Sequence, residues 1–325
     1  MSIIDAHRVM NTDPGHARMP HDSRYAEGAA FTQGVCRALG EGVVPIRDAG
    51  FIHADAAYDV VSASRGYLFR VRDHMKRFKE SCRKFRLDSP YSDDETVEIL
   101  TNLVKLTGLK DAYIWWAVTR GQMQGHDRAR ARDLNQFYAF VTPYSFILDD
   151  EAQTRGANLY VSEQFVRIPP RSVDPTAKNF HWMDLKLSIH EALTHGADWS
   201  VLTDGTGNLT EGPGCNVFLI RDGIIKTPST GCLEGITRQT VFDLAAELGL
   251  PVEATTVAAR ELVEADEAFL TSTAGEIMPV SRVNGRPLGG LDGPGEITGR
   301  LHDLYWEKRW DGWLGDAVDY ESPRP

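Results

Sequence analysis

The feature that most constrains this chain is a series of short apolar runs, each cut off by turn residues before it could extend into a long helix. The runs 112-AYIWWAVTR-120 and 136-QFYAFVTPY-144 read as two strands. In the first, alternation puts Tyr113, Trp115, Ala117 and Thr119 on one face. Runs 215-CNVFLI-220 and 224-IIK-226 flank Arg-Asp-Gly, the signature of a hairpin. A chain of this kind must bury sheets rather than bundle helices, and the expected class is strand-rich α+β.

Helical spacing interrupts the strands at a few places. Residues 73–86 repeat Met75, Phe78, Cys82 and Phe85, and residues 93–107 repeat Val97, Leu100, Val104 and Leu106. Further helices are expected over 181–195, with Trp182, Leu185, Ile189 and Leu193 on one face, over 237–249, and near 295–310. Before the first helices, 31-FTQGVCRAL-39, 40-GEGVVPIRDAG-50, 58-YDVVSAS-64 and 67-YLFRV-71 read as strands. More strands are expected near 158–163, 198–205, 252–256 and 267–271.

Pro143 ends a strand, and 145-SFILDDEAQTRG-156 reads as a connection between domains. The expected organisation is an N-terminal arm over 1–27, a small α/β domain over 28–144, a linker over 145–155 and a large domain over 156–325. A length of 325 residues with 42% hydrophobic content suffices for two cores. The net charge of −11 argues against nucleic acid or an anionic membrane as the main partner. Four widely spaced cysteines form neither a zinc knuckle nor a disulfide framework, which points to a reducing cytoplasm and no metal. No run approaches the roughly 18 to 20 apolar residues of a membrane helix, and the first residues are too polar for a signal peptide.

Four segments carry chemistry. In 174-DPTAKNFHWMDL-185, Lys178 lies between a proline-broken approach and a helix start. In 208-NLTEGPGCNVFLIRDG-223, Glu211 precedes a Gly-Pro-Gly turn, where a carboxylate is costly unless its charge is used. In 233-LEGITRQTVFDLAAELG-249, a helix opens at Gly-Ile-Thr, so the N–H groups of Ile236 and Thr237 point at whatever lies beyond, a natural anion site. In 269-FLTSTAGEIMPV-280, small hydroxyl residues close a strand. A lysine for an aldehyde, a carboxylate for a pyridine nitrogen and a helix N-terminus for a phosphate together suit pyridoxal phosphate. Read singly, each has a plainer explanation as surface lysine, turn glutamate, capped helix or simple turn.

The strings K-N-F-x-W, N-L-T-E-G-x-G-x-N-V-F, G-I-T-R and T-S-T-A-G in this order resemble the fold-type IV pyridoxal-phosphate enzymes, the family of branched-chain and D-amino-acid aminotransferases. The resemblance extends from about Gly28 to Leu288. Within the family, 50-GFIHADAAYDV-60, 73-DHMKRF-78, 118-VTRG-121 and the Asp-Pro-Thr before Lys178 are similar to the (R)-selective amine transaminases. The resemblance implies two strand-rich domains with the cofactor between them, and a cytoplasmic homodimer.

It further implies that Lys178 joins the cofactor aldehyde and carries the proton, that Glu211 keeps the pyridine nitrogen protonated, and that Leu233 packs on the ring. Arg77, Ile236, Thr237 and Thr273 would bind the phosphate. His53, Tyr58, Tyr113, Trp115, Trp182 and Ala274 would line the substrate pocket. Among Arg128, Arg130 and Arg132, Arg128 is favoured as the mobile cation that receives a keto-acid carboxylate. Trp115 stands where the amine transaminases carry glutamate or asparagine, so it should alter the donor range. The implied reaction moves an amino group between an amine or amino acid and a keto acid such as pyruvate. The alternatives are a branched-chain or D-amino-acid aminotransferase, aminodeoxychorismate lyase, or a non-catalytic cofactor carrier.

Overall fold

The computed structural model describes residues 3–122, 135–290 and 293–321. In chain order its strands are Ala29–Thr32 (β1), Val35–Ala38 (β2), Ala56–Ser64 (β3), Tyr67–Phe69 (β4), Ala112–Thr119 (β5), Gln136–Pro143 (β6), Ala157–Val166 (β7), Trp199–Thr203 (β8), Asn216–Arg221 (β9), Ile224–Pro228 (β10), Val252–Thr255 (β11), Glu267–Ser272 (β12), Glu276–Val283 (β13), Arg286–Pro287 (β14) and Gly315–Ala317 (β15). They form two sheets, and the chain divides into two compact units.

The first unit comprises Val9–Ser145, Ala177–Phe180 and Arg309–Pro325. Its sheet runs β15-β4-β3-β5-β6-β1-β2 with antiparallel neighbours. Helices Val71–Phe85 and Asp93–Thr107 bring Phe78, Cys82, Leu100 and Leu103 into one buried cluster with Val61, Ile114, Trp116 and Val118 of the sheet. The second of these helices starts on a Ser92–Glu95 capping box and stops at Gly108 in the left-handed region. Arg309 is fully buried and donates from Nη2 to the carbonyls of Ser62 and Tyr67, tying the C-terminal segment to this sheet.

The second unit comprises Met1–Arg8, Phe146–Thr176 and His181–Lys308. Its sheet is mixed, in the order β11-β10-β9-β12-β13-β7-β8, with β14 on β13. Its core includes Leu159, Val201, Val217, Leu219, Leu270 and Met278. Helices Met183–Thr194, Ile236–Glu247 and Glu296–Trp310 carry most of its helical content, the last continuing past Lys308 into the first unit. Among the described residues, no helix is long and apolar enough to cross a membrane.

Several local expectations are corrected. The segment 31–39 is a hairpin rather than one strand, because Gln33 and Gly34 both take positive φ, 57° and 75°, and reverse the chain. The segment 40–50 is not a strand: it carries Pro45, and Asp48 caps the helix Ala49–His53. Strand β13 has no counterpart among the expected strands, and Pro279 within it is the reason. Leu193 is 57% exposed instead of lying on the buried face of its helix. That face runs through Leu185, Ser188 and Ala192, with the Ser188 hydroxyl 2.8 Å from that of Ser200 on β8.

The N-terminal stretch read as an arm contains the helix Ala6–Thr12 and two 3-10 turns. His16 is buried there, with Nδ1 2.9 Å from the Asp111 carboxylate and Nε2 accepting from Arg65 Nε at 3.0 Å. The stretch read as a linker holds the helix Asp150–Arg155.

Candidate active site

In the first unit, Lys178 extends the sheet beside β3. The Tyr58 N–H donates to the Lys178 carbonyl at 3.1 Å, Ala57 bridges Asn179, and the Lys178 N–H donates to Ser81 Oγ at 3.0 Å. The side chain is half-buried, with Nζ 4.5 Å from the centre of the Tyr58 ring. Tyr58 in turn belongs to an aromatic group. Trp115 lies 5.9 Å from Tyr58 and 5.1 Å from Phe140, stacked on both, and Phe180 is 5.6 Å from Tyr58 and 5.9 Å from Trp115. Tyr113 sits 6.3 Å from Phe140, and burial, aided by the Asp59 charge, pushes its hydroxyl up to about 12.

The opposite face of β3 carries Asp59, which has no exposed surface. Its carboxylate accepts from Arg77 Nε at 2.9 Å, from Arg77 Nη2 at 2.7 Å and from His74 Nδ1 at 2.9 Å. Burial alone would raise the Asp59 carboxyl, but the Arg77 charge and the hydrogen bonds from His74 and Arg77 hold it well below the ordinary carboxylate range. Burial likewise lowers His74, against the pull of Asp59. His74, Arg77 and Ser81 share one face of the helix Val71–Phe85 at i, i+3 and i+7. His53 stands exposed at the end of its short helix.

In the second unit, Glu211 is 6% exposed. One oxygen accepts from Arg167 Nε at 2.8 Å and the other from the Leu233 N–H at 2.9 Å. Arg167, also 6% exposed, donates from Nη1 to Asp184 at 2.7 Å. Burial acts to lower Arg167, but its two carboxylate partners raise it overall, so it stays cationic. The negative charge of Glu211 adds to burial in pushing the Cys232 thiol up to about 12.

The helix Ile236–Glu247 begins at Gly235 with no side chain capping it. A Cβ on Gly235 would come 2.2 Å from Asn216 Oδ1, so any other residue here would have to displace the Asn216 side chain. Asn216 Nδ2 donates to the Leu233 carbonyl at 2.8 Å, holding this turn. Thr237 is buried and its hydroxyl donates to the buried Glu276 at 3.2 Å. Thr273 and Ala274 form the turn from β12 to β13, where the Ala274 carbonyl accepts from the Ile147 N–H at 3.0 Å. Trp182 occupies the N-cap position of the helix Met183–Thr194 and packs close to Gly214.

The structure thus groups Lys178 and Tyr58 with Trp115 and Tyr113, and separately Glu211 with Leu233. Arg128, Arg130 and Arg132 lie outside the described residues. Reading the sequence missed Asp59, His74, Arg167 and Asn216. Asp59 did leave a signal: a carboxylate at the inward position of a strand whose other inward residues are Ala57, Val61 and Ala63. Arg167, in an irregular Pro-Pro approach, left none.

The first unit by itself supplies an amine beside aromatic surface, the kind of group that takes an aldehyde. The second by itself supplies a buried carboxylate paired with arginine, suited to a pyridine nitrogen, and a helix start with no side-chain cap, suited to a phosphate.

Comparison with known proteins agrees. The family model for amino-transferase class IV matches residues 56–283. A branched-chain-amino-acid aminotransferase of Pseudomonas aeruginosa is 32% identical over 260 residues, 79% of this chain and 83% of that protein. A D-alanine aminotransferase of Listeria monocytogenes is 29% identical over 271 residues, covering 82% and 91%. The branched-chain amino acid aminotransferase from Thermobaculum terrenum, in its PLP (holo) form, superposes with a TM-score of 0.79 at 26% identity, over 91% of this chain and 99% of that one. Since the family pattern spans most of the chain and takes in both Lys178 and Glu211, the protein belongs to the class IV amino-transferases and is a pyridoxal-phosphate-dependent aminotransferase.

Proposed function

We propose that this aminotransferase exchanges an amino group between a primary amine, taken as its (R)-enantiomer, or an amino acid, and a small keto acid such as pyruvate. The observation that carries this reading is the aromatic surface of Tyr58, Trp115, Phe140 and Phe180 beside the Lys178 ammonium, which favours a donor with an apolar or aryl substituent. Pyridoxal phosphate, when bound, supplies the aldehyde that accepts the amino group and a ring that withdraws electrons from the donor carbon.

Lys178 would hold the cofactor covalently and, once the incoming amine has displaced it, its freed Nζ would take the proton from the donor carbon and deliver it on the cofactor side. Glu211 would keep the pyridine nitrogen protonated, and Arg167, donating to one of its oxygens, would orient it for that task. Leu233 packs on the ring. Arg77, Thr273 and the N–H groups of Ile236 and Thr237 bind the phosphate. Tyr58, Tyr113, Trp115, Trp182, His53 and Ala274 shape the substrate side, and Arg128 receives the keto-acid carboxylate. The working form is a cytoplasmic homodimer.

A second reading, a branched-chain or D-amino-acid aminotransferase, is favoured by the names of the similar proteins. Single-turnover absorbance separates the two. Holoenzyme is mixed with (R)- or (S)-1-phenylethylamine, L-leucine or D-alanine, and loss of the aldehyde-form band is followed, then its return with pyruvate. Conversion by the (R)-amine supports the first reading. Conversion by L-leucine or D-alanine alone replaces it with the second, and preference for the (S)-amine removes the amine-transaminase assignment.

A further inference from the structure

The cluster of Asp59, His74 and Arg77 is hard to explain by stability. Asp59 and His74 are buried, and the Arg77 side chain is only 10% exposed, in a unit whose neighbouring positions are apolar. Filling such a space with apolar side chains commonly stabilises a fold as well or better. A function that needs a cation in one fixed orientation accounts for it. Asp59 takes the Nε–H and a Nη2 N–H of Arg77, a two-point contact along one edge that fixes the plane of the guanidinium. His74 takes up the same carboxylate from a second direction and stops it from rotating.

The cluster also shares its frame with Lys178. Tyr58, next to Asp59 on β3, donates its N–H to the Lys178 carbonyl, and Ser81, one turn beyond Arg77, accepts the Lys178 N–H while donating to the Arg77 carbonyl at 3.0 Å. One strand and one helix therefore hold both the covalent anchor and the cation.

We propose that Asp59, backed by His74, is a positioning residue that sets the Arg77 guanidinium so that the enzyme selects a cofactor carrying a phosphate monoester over its unphosphorylated form. The inference rests on the reading of Arg77 as a phosphate ligand. A residue of this kind acts through orientation and not through charge attraction, since a carboxylate by itself repels phosphate. Removing it should lower phosphate preference even though one negative charge disappears.

The test measures dissociation constants of pyridoxal 5'-phosphate and of pyridoxal for the full-length apoprotein, in wild type, Asp59→Asn, Arg77→Gln and the double variant. Asp59→Asn is expected to lower the preference for the phosphorylated form about tenfold or more, the scale of a lost charged hydrogen bond, with pyridoxal binding unchanged. In the Arg77→Gln background, Asp59→Asn should cause no further drop. Equal weakening of both ligands means a structural role and overturns the proposal. So does an unchanged preference in Asp59→Asn when Arg77→Gln has lost it. An unchanged preference in Arg77→Gln overturns the phosphate role of Arg77 and this inference with it. Should Asp59→Asn not fold, Asp59→Glu reads the same quantity, because it keeps the charge but moves the carboxylate by one methylene. The same selective loss is expected, and an intact preference in that folded variant overturns the proposal.

Discussion

A buried carboxylate survives in a protein only when something compensates its desolvation, and Glu211 has two partners that do so. Arg167 supplies a charge and the Leu233 N–H a second hydrogen bond, one to each oxygen, so the carboxylate is held in one orientation. An ionised, fixed carboxylate is what protonation of a pyridine nitrogen requires. Glu211→Gln keeps the volume but removes the charge, and its amide oxygen can accept from only one of Arg167 and the Leu233 N–H. We expect it to fold with a lowered melting temperature and to slow the donor half-reaction, per folded enzyme, by about a hundredfold or more, the scale of losing an electrostatic partner of the reacting centre. Stopped-flow absorbance with a saturating donor measures this, and parent-like turnover would remove the charge from the mechanism.

Among the elements, β5 shows how alternation sorts similar side chains into different tasks. Trp116 has no exposed surface and packs 5.7 Å from Phe78 in the core under the helix Val71–Phe85. Trp115, one residue earlier, points to the other face and stacks on Tyr58 and Phe140. The register with β3, Trp115 opposite Val60 and Ala117 opposite Tyr58, brings Trp115 and Tyr58 within diagonal reach on one face. Trp115→Ala therefore removes a wall without opening the core. The expected result is acceptance of bulkier donors or keto acids, with cofactor affinity within about twofold of the parent because a half-buried rim position carries little of the fold's stability. Steady-state comparison across a size series of amines and keto acids checks it, and an unchanged profile would take Trp115 out of the pocket.

At the scale of the whole molecule, the first unit is assembled from three separate stretches of chain, the last of them beginning at Arg309. Arg309 donates to two backbone carbonyls of the sheet and lies 4.7 Å from the Phe69 ring, and β15 covers the outer edge of β4. Ending the chain after Lys308 would strip that edge and remove the two hydrogen bonds Arg309 makes to the Ser62 and Tyr67 carbonyls, each worth about 1.5–3 kcal/mol from a charged donor. We expect the truncated chain to be insoluble or to melt well below the parent. Circular dichroism melts of the two proteins decide it, and a truncated form that melts with the parent would show that the edge needs no cover.

Local pattern was enough for most elements. The alternation of β5 and β6, the Arg-Asp-Gly turn between β9 and β10 and the helical spacing of 73–86 and 93–107 are properties of neighbouring residues, and these elements formed close to where they were expected. Elements set by backbone geometry were less legible: the Gln33–Gly34 reversal, the Pro279-bearing β13 and the small-residue face that leaves Leu193 exposed.

The motif strings singled out Lys178, Glu211 and the Gly-Ile-Thr helix start only through their combination and order, since each group read singly has a plainer explanation. Only the tertiary structure decided which partners those groups have. Arg167 meets Glu211, Asp59 meets Arg77, and Ala177–Phe180 joins the sheet of the first unit. The physical reason is that hydrogen bonds and desolvation act over a few ångströms in space, between residues whose separation along the chain leaves no periodic trace in it.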